Sequence, residues 1–418
     1  MKQRYTRVKL ACYSTNITMS VVGNLSPLLF LTFRLLYGIS YSLLGLLVLI
    51  NFSTQLLIDL IFSFFSHKFN IPLTVRLTPA LAVVGLCIYA LFPYFWPQYA
   101  YLGLVLGTVI FSSSSGLAEV LISPTIAAIP AENPEHEMSK LHSIYAWGVV
   151  FMIAVSTVYL LLIGNKHWHW LALGFAAVPL MASILFAGTE VPQVEAAEKG
   201  GVGIVEMIKK PALWLCVFAI FLGGAAECTM AQWCSGYLEQ ALGIPKVWGD
   251  LFGVALFAVM MGLGRSLYAK IGKNIGKILF FGAVGATLCY LTAAISPVPV
   301  LGLFACALTG FCTSMLWPGS LIVSADRFPK GGVFIYAIMA AGGDLGASVG
   351  PQLVGVITDA VAANPTAASL AARLTLNPDQ LGMKAGMLVG MLFPLVAILV
   401  YLTIWKGRRP AEISAQES

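Results

Sequence analysis

A chain of 418 residues that is 59% hydrophobic and only 10% charged, with a mean hydropathy of +0.87, has more apolar surface than a water-soluble core can hide. Composition therefore excludes a soluble globular domain and predicts a membrane protein. The net charge of +6 follows from where the basic residues fall along the chain, so it gives no argument for a nucleic-acid partner.

In chain order, charged residues bracket uncharged stretches of close to the ~20 residues that a helix needs to cross ~30 Å of hydrocarbon. Two stretches are too long for one crossing. Residues 77–118 contain Pro93, Trp96 and Pro97 near their middle, and residues 278–325 contain Pro297 and Pro299. Proline removes a backbone donor and tryptophan favours the headgroup zone, so each stretch reads as a helical hairpin. The predicted spans are 9–31, 39–63, 76–95, 99–127, 140–163, 169–188, 211–238, 247–269, 277–296, 298–324, 331–360 and 384–406, twelve in all. Residues 361–383 form the longest external loop, with a short helix expected in it.

With both termini in the cytoplasm, 19 of the 24 basic residues fall on the inside, as the positive-inside rule requires of an even helix count. The first apolar stretch is full length and lacks a small-residue cleavage motif, so it is expected to stay as the first helix. All eight cysteines fall in predicted helices without a CxxC pair or a Cys/His cluster. They predict neither a disulfide framework nor a metal site.

Residues 189–210 are the one real break in composition: charged, glycine-containing and placed after six spans. The expected organisation is an N-terminal six-helix bundle over 1–188, a cytoplasmic linker over 189–210 and a C-terminal six-helix bundle over 211–418. At an offset of 194 residues Gly116 matches Gly310, Pro124 matches Pro318 and Gly148 matches Gly342. Small residues at matched depth allow close helix contact, and the prolines are expected to break helices at corresponding heights.

A parallel repeat of six helices resembles the major facilitator superfamily. The loop after the second span, SFFSHKFNIP, keeps Lys68 of that family's loop signature but has His67 where an aspartate is usual. The loop GRSLYAKIG, which begins at Gly264, keeps its basic and glycine residues better. Within the superfamily the chain is similar to the fucose-permease-type branch of sugar-proton symporters. The points of likeness are Glu119 in the fourth helix, the LHSIYAWG entry to the fifth, Gly223, Gly224, Glu227 and Trp233 in the seventh, and GASVGP at Gly346 in the eleventh. One departure sets fucose itself aside: that branch's fucose carriers have an acid in the first helix, where this chain offers Thr15, Asn16 and Asn24. The resemblance implies an all-α fold of two pseudo-symmetric six-helix bundles and transport by alternating access.

An ionised side chain inside a bilayer is costly unless it meets a partner or a wet cavity, so each one is a functional candidate. Loss of water favours the neutral form of a carboxyl group, which is what a proton-coupling residue needs. Glu119 and Glu227 are the candidates, with His142 as a proton-exchange partner; the bland alternative for Glu119 is a fixed bond to His142 or to the serines at 112–115. Gly223 and Gly224 are expected to loosen the seventh helix beside Glu227. Carboxylates and indoles suit hydroxylated rings, so the candidate solute contacts are Asn16, Asn24, Tyr145, Trp147, Glu227, Gln232, Trp233, Trp317 and Asp344. A cytoplasmic gating set comprises Asp59, Lys68, Arg265, Lys270 and Arg327.

No phosphate-cradling GxxxxGK(S/T), HExxH or GxSxG motif is present, so neither ATP-driven work nor hydrolysis is expected, and the chain is not read as an enzyme. The leading expectation is a monomeric secondary transporter in the plasma (inner) membrane, importing a sugar or sugar derivative on the proton gradient. No cofactor is expected beyond the proton gradient, and the sequence leaves sodium open as the coupling ion, because oxygen ligands for either ion look the same. The alternatives are a proton-driven exporter of amphipathic compounds, favoured by aromatics and methionines, and a transport-inactive receptor that keeps the fold.

Overall fold

The computed structural model describes residues 2–65, 68–130, 134–192, 204–271, 274–328 and 332–406. Among the described residues there is no strand. The chain divides into two compact units, one of Met1–Ile39 with Ile50–Lys199, the other of Ser40–Leu49 with Gly200–Ser418.

The first unit is built from α1 (Lys2–Leu28), α2 (Phe30–Tyr37), most of α3 (Tyr41–Phe65), α4 (Ile71–Phe95), α5 (Ala100–Ala127), α6 (Pro134–Ile163) and α7 (Trp168–Phe186). Pro27 lies inside α1, and the chain bends by 48° between α1 and α2. A proline cannot donate to the carbonyl one turn back, so a bend there has an identifiable cause. Gly38 closes α2 in the left-handed conformation, with φ at 64° and its N–H on the Arg34 carbonyl. The Asn70 side chain caps α4 by accepting from the Leu73 N–H, and proline follows in the first turn. Val8, Ala11, Cys12, Val75 and Leu121 lie in the unit's buried core.

The second unit contains α8 (Ile204–Ile208), α9 (Pro211–Gln240), α10 (Lys246–Gly249), α11 (Leu256–Ile271), α12 (Ile275–Ile295), α13 (Pro299–Thr313), α14 (Leu316–Arg327), α15 (Gly332–Ala362), α16 (Pro365–Arg373), α17 (Pro378–Gly390) and α18 (Leu392–Lys406). A π turn over Asp250–Ala255 joins α10 to α11. Asp250 is fully buried at its start: it accepts from the Ser235 hydroxyl at 2.5 Å and pairs with Lys246 at 3.3 Å. The first turn of α3 belongs to this unit as well. Both oxygens of the Asp359 carboxylate accept backbone N–H groups there, from Tyr41 at 3.1 Å and from Ser42 at 2.6 Å. That is a helix N-cap supplied by a distant residue.

Among the described residues ten tracts are long and apolar enough to cross a membrane, and the bent pair α1–α2 makes an eleventh. The apolar helix Trp147–Ile163 coincides with the remaining predicted span, 140–163. Helix α16 fills part of the predicted external loop. Two local expectations are corrected. Helix α9 runs unbroken through Gly223 and Gly224, because these glycines admit neighbouring groups and do not loosen the helix. Helix α5 likewise runs through Pro124, whereas the matched tract in the second unit is interrupted at Ser314 and Met315, just before Pro318.

The glycines matched at the 194-residue offset make matched contacts. A β-carbon on Gly116 would meet Gln55 and Ile58 of α3, and one on Gly310 would meet Phe257 of α11. One on Gly148 would meet Ser20 of α1, and one on Gly342 would meet Val217 and Ile220 of α9. Each pair therefore holds corresponding helices together within its own unit.

Candidate functional site

In the second unit the charged residues of α9 and α11 meet. Helix side chains lean toward the helix N-terminus, and Ser235–Asp250 and Glu227–Arg265 show that the two tracts run in opposite senses. Glu227 and Arg265 thus lean toward each other. The Arg265 Nη2 stands 3.4 Å from the Glu227 Oε1, while Glu227 Oε2 is enclosed and has no hydrogen-bond partner. The Arg265 side chain is 47% exposed against 13% for Glu227, so the pair is enclosed on the carboxylate side and open on the guanidinium side.

The guanidinium is fixed from a third helix. Arg265 Nε donates to the Ser314 carbonyl at 3.1 Å. In a continuous helix that carbonyl would accept from residue 318, but Pro318 has no N–H. The interruption between α13 and α14 therefore frees an acceptor at the height of Arg265. Gly264 lets α11 come close at this point, since a β-carbon there would run into the Ser314 side chain.

Trp317 follows on α14, half-buried. Its ring lies against Gly224 of α9 and Gly343 of α15, where β-carbons would approach the indole to 2.9 and 2.5 Å. Asp344, next to Gly343, is buried, and the Cys228 thiol lies near both the Asp344 and Glu227 carboxylates. Two tyrosines brace α9 through its backbone: Tyr401 donates to the Ala219 carbonyl at 2.9 Å and Tyr290 to the Ala226 carbonyl at 2.8 Å. Glu227, Arg265, Trp317 and Asp344 thus share one neighbourhood. Trp233 and Gln232 lie further along α9 and are buried; the Trp233 indole donates to the Pro351 carbonyl at 2.9 Å and packs beside Tyr41. Arg327 lies against the Cys216 thiol of α9.

In the first unit Asn51, Gln55 and Asp59 follow one another at four-residue steps on α3, all buried. The Ser112 hydroxyl of α5 donates to Asn51 Oδ1 at 2.6 Å, and Gly116 packs on Gln55. The pairs 51/112 and 55/116 keep one register, and a further turn puts Asp59 level with Val120, beside Glu119. Glu119 itself is exposed on α5. Asn16 Nδ2 donates to the Leu141 carbonyl at 2.7 Å, tying α1 to α6. Asn24 donates to the Ser20 carbonyl of its own helix. Tyr145 and Trp147 are exposed on α6, at 37% and 72%. Lys68 is exposed, its ammonium 4.9 Å from the Phe65 ring centre. The side chains of His142 and Lys270 lie outside the described part of the structure.

The Ser314 carbonyl, and Asn51 and Gln55 on the face that carries the gating candidate Asp59, were not among the sequence candidates. The face had a signal, since three polar residues at helical spacing interrupt an apolar run. The carbonyl is visible only through Pro318.

The family model of the major facilitator superfamily matches residues 11–351. No curated protein sequence matches the chain. Solved structures with the same fold include a nucleoside transporter (TM-score 0.74, 11% identity, covering 96% of this chain and 99% of that one). A D-xylose-proton symporter gives 0.71 at 12% identity, covering 98% and 99%. The fucose-proton symporter of E. coli gives 0.59 at 14%, covering 96% and 99%. The model match spans most of the chain and the likeness in fold spans nearly all of it, so this chain belongs to the major facilitator superfamily and is a membrane transporter, not an enzyme.

Proposed function

We propose that the protein carries a small polar solute, a sugar or sugar derivative, across the plasma membrane together with a proton, by alternating access, as a monomer with both termini in the cytoplasm. The observation that carries this reading is the Glu227–Arg265 pair, which places an enclosed carboxylate beside a half-exposed guanidinium on two helices long and apolar enough to span a membrane. A ligand moves a two-state equilibrium only through a difference in affinity between the states. A proton on Glu227, released when Arg265 presses on it, supplies such a difference. Glu119 and Asp59 form a second carboxylate level in the first unit, with His142 of α6 as the proposed exchange partner. Likeness in fold to sugar-proton symporters and the fucose-permease-type motifs support the sugar reading.

The test begins with the purified protein and thermal stabilisation against sugars, nucleosides, amino acids and lipophilic cations at pH 5.5 and 7.5, since a ligand bound only by the folded state raises the melting temperature. The solute found is then loaded into proteoliposomes. Glu227→Gln and Glu119→Gln are each expected to abolish accumulation driven by a pH gradient while leaving exchange between equally loaded faces. Undiminished accumulation in both variants overturns the coupling role. Stabilisation by lipophilic compounds alone moves the reading to an exporter.

A further inference from the structure

The Arg265 fork is larger than the contacts it makes. A guanidinium has five N–H donors in a planar fork suited to two parallel bonds with a carboxylate. Here Nε is fixed on the Ser314 carbonyl, and one Nη2 contact reaches Glu227 at 3.4 Å, through a single oxygen. Nearly half of the side chain is open. The anchoring on a proline-freed carbonyl holds the fork in place before any ligand arrives, which lowers the ordering cost of binding. Within one helical turn of Ser314 stands Trp317, whose ring can cover the face of a compact cyclic or polyhydroxylated body.

We infer that Arg265 is an anchor for a carboxylate on the transported solute, so that the cargo is a sugar acid and not a neutral sugar. The inference rests on the transporter reading given above. The charged and titratable groups around Glu227 are Arg265 from α11, Tyr401 from α18 and Cys228 on its own helix, with Asp344 of α15 reaching the Cys228 thiol. With Glu227 ionised, the guanidinium is already matched and the Glu227 charge itself repels a second anion. A proton delivered to Glu227 removes one negative charge and frees the fork, and the solute carboxylate then takes the place of Glu227 as the counter-ion. Proton and acid therefore bind together, and the loaded neighbourhood keeps the net charge of the empty one.

Isothermal titration calorimetry of the full-length purified protein tests this, with D-glucuronate, D-gluconate and D-glucose as probes, each in two buffers of different ionisation heat. Both acids are expected to bind at least about tenfold more tightly than glucose, as expected when a charged pair is formed in place of a neutral contact. About one proton should be taken up per acid bound, read from the buffer dependence of the heat. Arg265→Gln is expected to weaken acid binding by about 30-fold or more, and Glu227→Gln to keep acid binding but lose the proton uptake. Arg265→Lys, which keeps the charge and loses the fork, guards against a folding defect and should weaken the acids while leaving the melting temperature near that of the parent. Glucose binding without acid binding overturns the inference and leaves the transporter reading standing. Acid binding that is unchanged in Arg265→Gln and Arg265→Lys overturns it too, and binding of neither class overturns the sugar reading with it.

Discussion

At the scale of single residues, Pro318 does two opposed things. It deprives α14 of a backbone bond, a loss of about 1 kcal/mol net, and it gives Arg265 the carbonyl that fixes its fork. Pro318→Ala returns an N–H to the Ser314 carbonyl. The expected outcome is an unchanged or slightly raised melting temperature together with weaker solute binding, which thermal unfolding and calorimetry on the same sample check. A fall in both would assign Pro318 to the fold alone. Proline was visible in the sequence as a break, but the use of the freed carbonyl was not. That use depends on α11 arriving at the right height, and no local pattern records it. Glu227 stood out as a lone acid in an apolar run. Arg265 stood out only as a cytoplasmic gating residue and not as the partner of Glu227, because a basic residue near the end of a predicted span looks the same as one held in the cytoplasm.

At the scale of elements, glycines decide which helices touch. A β-carbon on Gly346 would land on the Phe221 carbonyl of α9, which is backbone and cannot turn aside. Gly346→Ala is therefore expected to force α9 and α15 apart, at a cost of about 1–3 kcal/mol or more, seen as a lower melting temperature or lost folded yield. Gly38 is the contrast. Nothing stands within 4 Å of a β-carbon there, and only its φ of 64° opposes a side chain, so Gly38→Ala should cost about 1 kcal/mol. Equal effects from the two substitutions would refute the contact account. Helix positions were legible because apolar runs, prolines and caps are local. The glycine contacts were partly legible too, because the 194-residue offset picked out Gly116, Gly148, Gly310 and Gly342 before their partners were known. The unbroken course of α9 and α5 was not, since tight packing around a glycine or proline restores what the residue alone would weaken.

At the scale of the whole molecule, the basic residues predict the topology. Single cysteines at Arg373 in α16 and at Lys210 before α9, in a background without reactive thiols, are expected to react differently with a membrane-impermeant maleimide added outside intact cells. The first should label and the second should not, and the reverse result would invert the chain in the membrane. Length and charge made this level the most readable, because a bilayer imposes a fixed thickness and a charge bias on any sequence that crosses it.

The Asp359 cap on α3 sets a limit on the order of events during synthesis. The carboxylate that satisfies the first N–H groups of α3 is made 318 residues after Tyr41. While the intervening chain emerges, the start of α3 carries unsatisfied donors, exposed to whatever water or lipid headgroup is nearby. The step that completes the second unit therefore reaches back to one of the earliest helices, and a ribosome stalled before residue 359 leaves a chain whose α3 has the local Ser40 hydroxyl on its Leu43 N–H but no acceptor from Asp359 for the Tyr41 and Ser42 N–H groups.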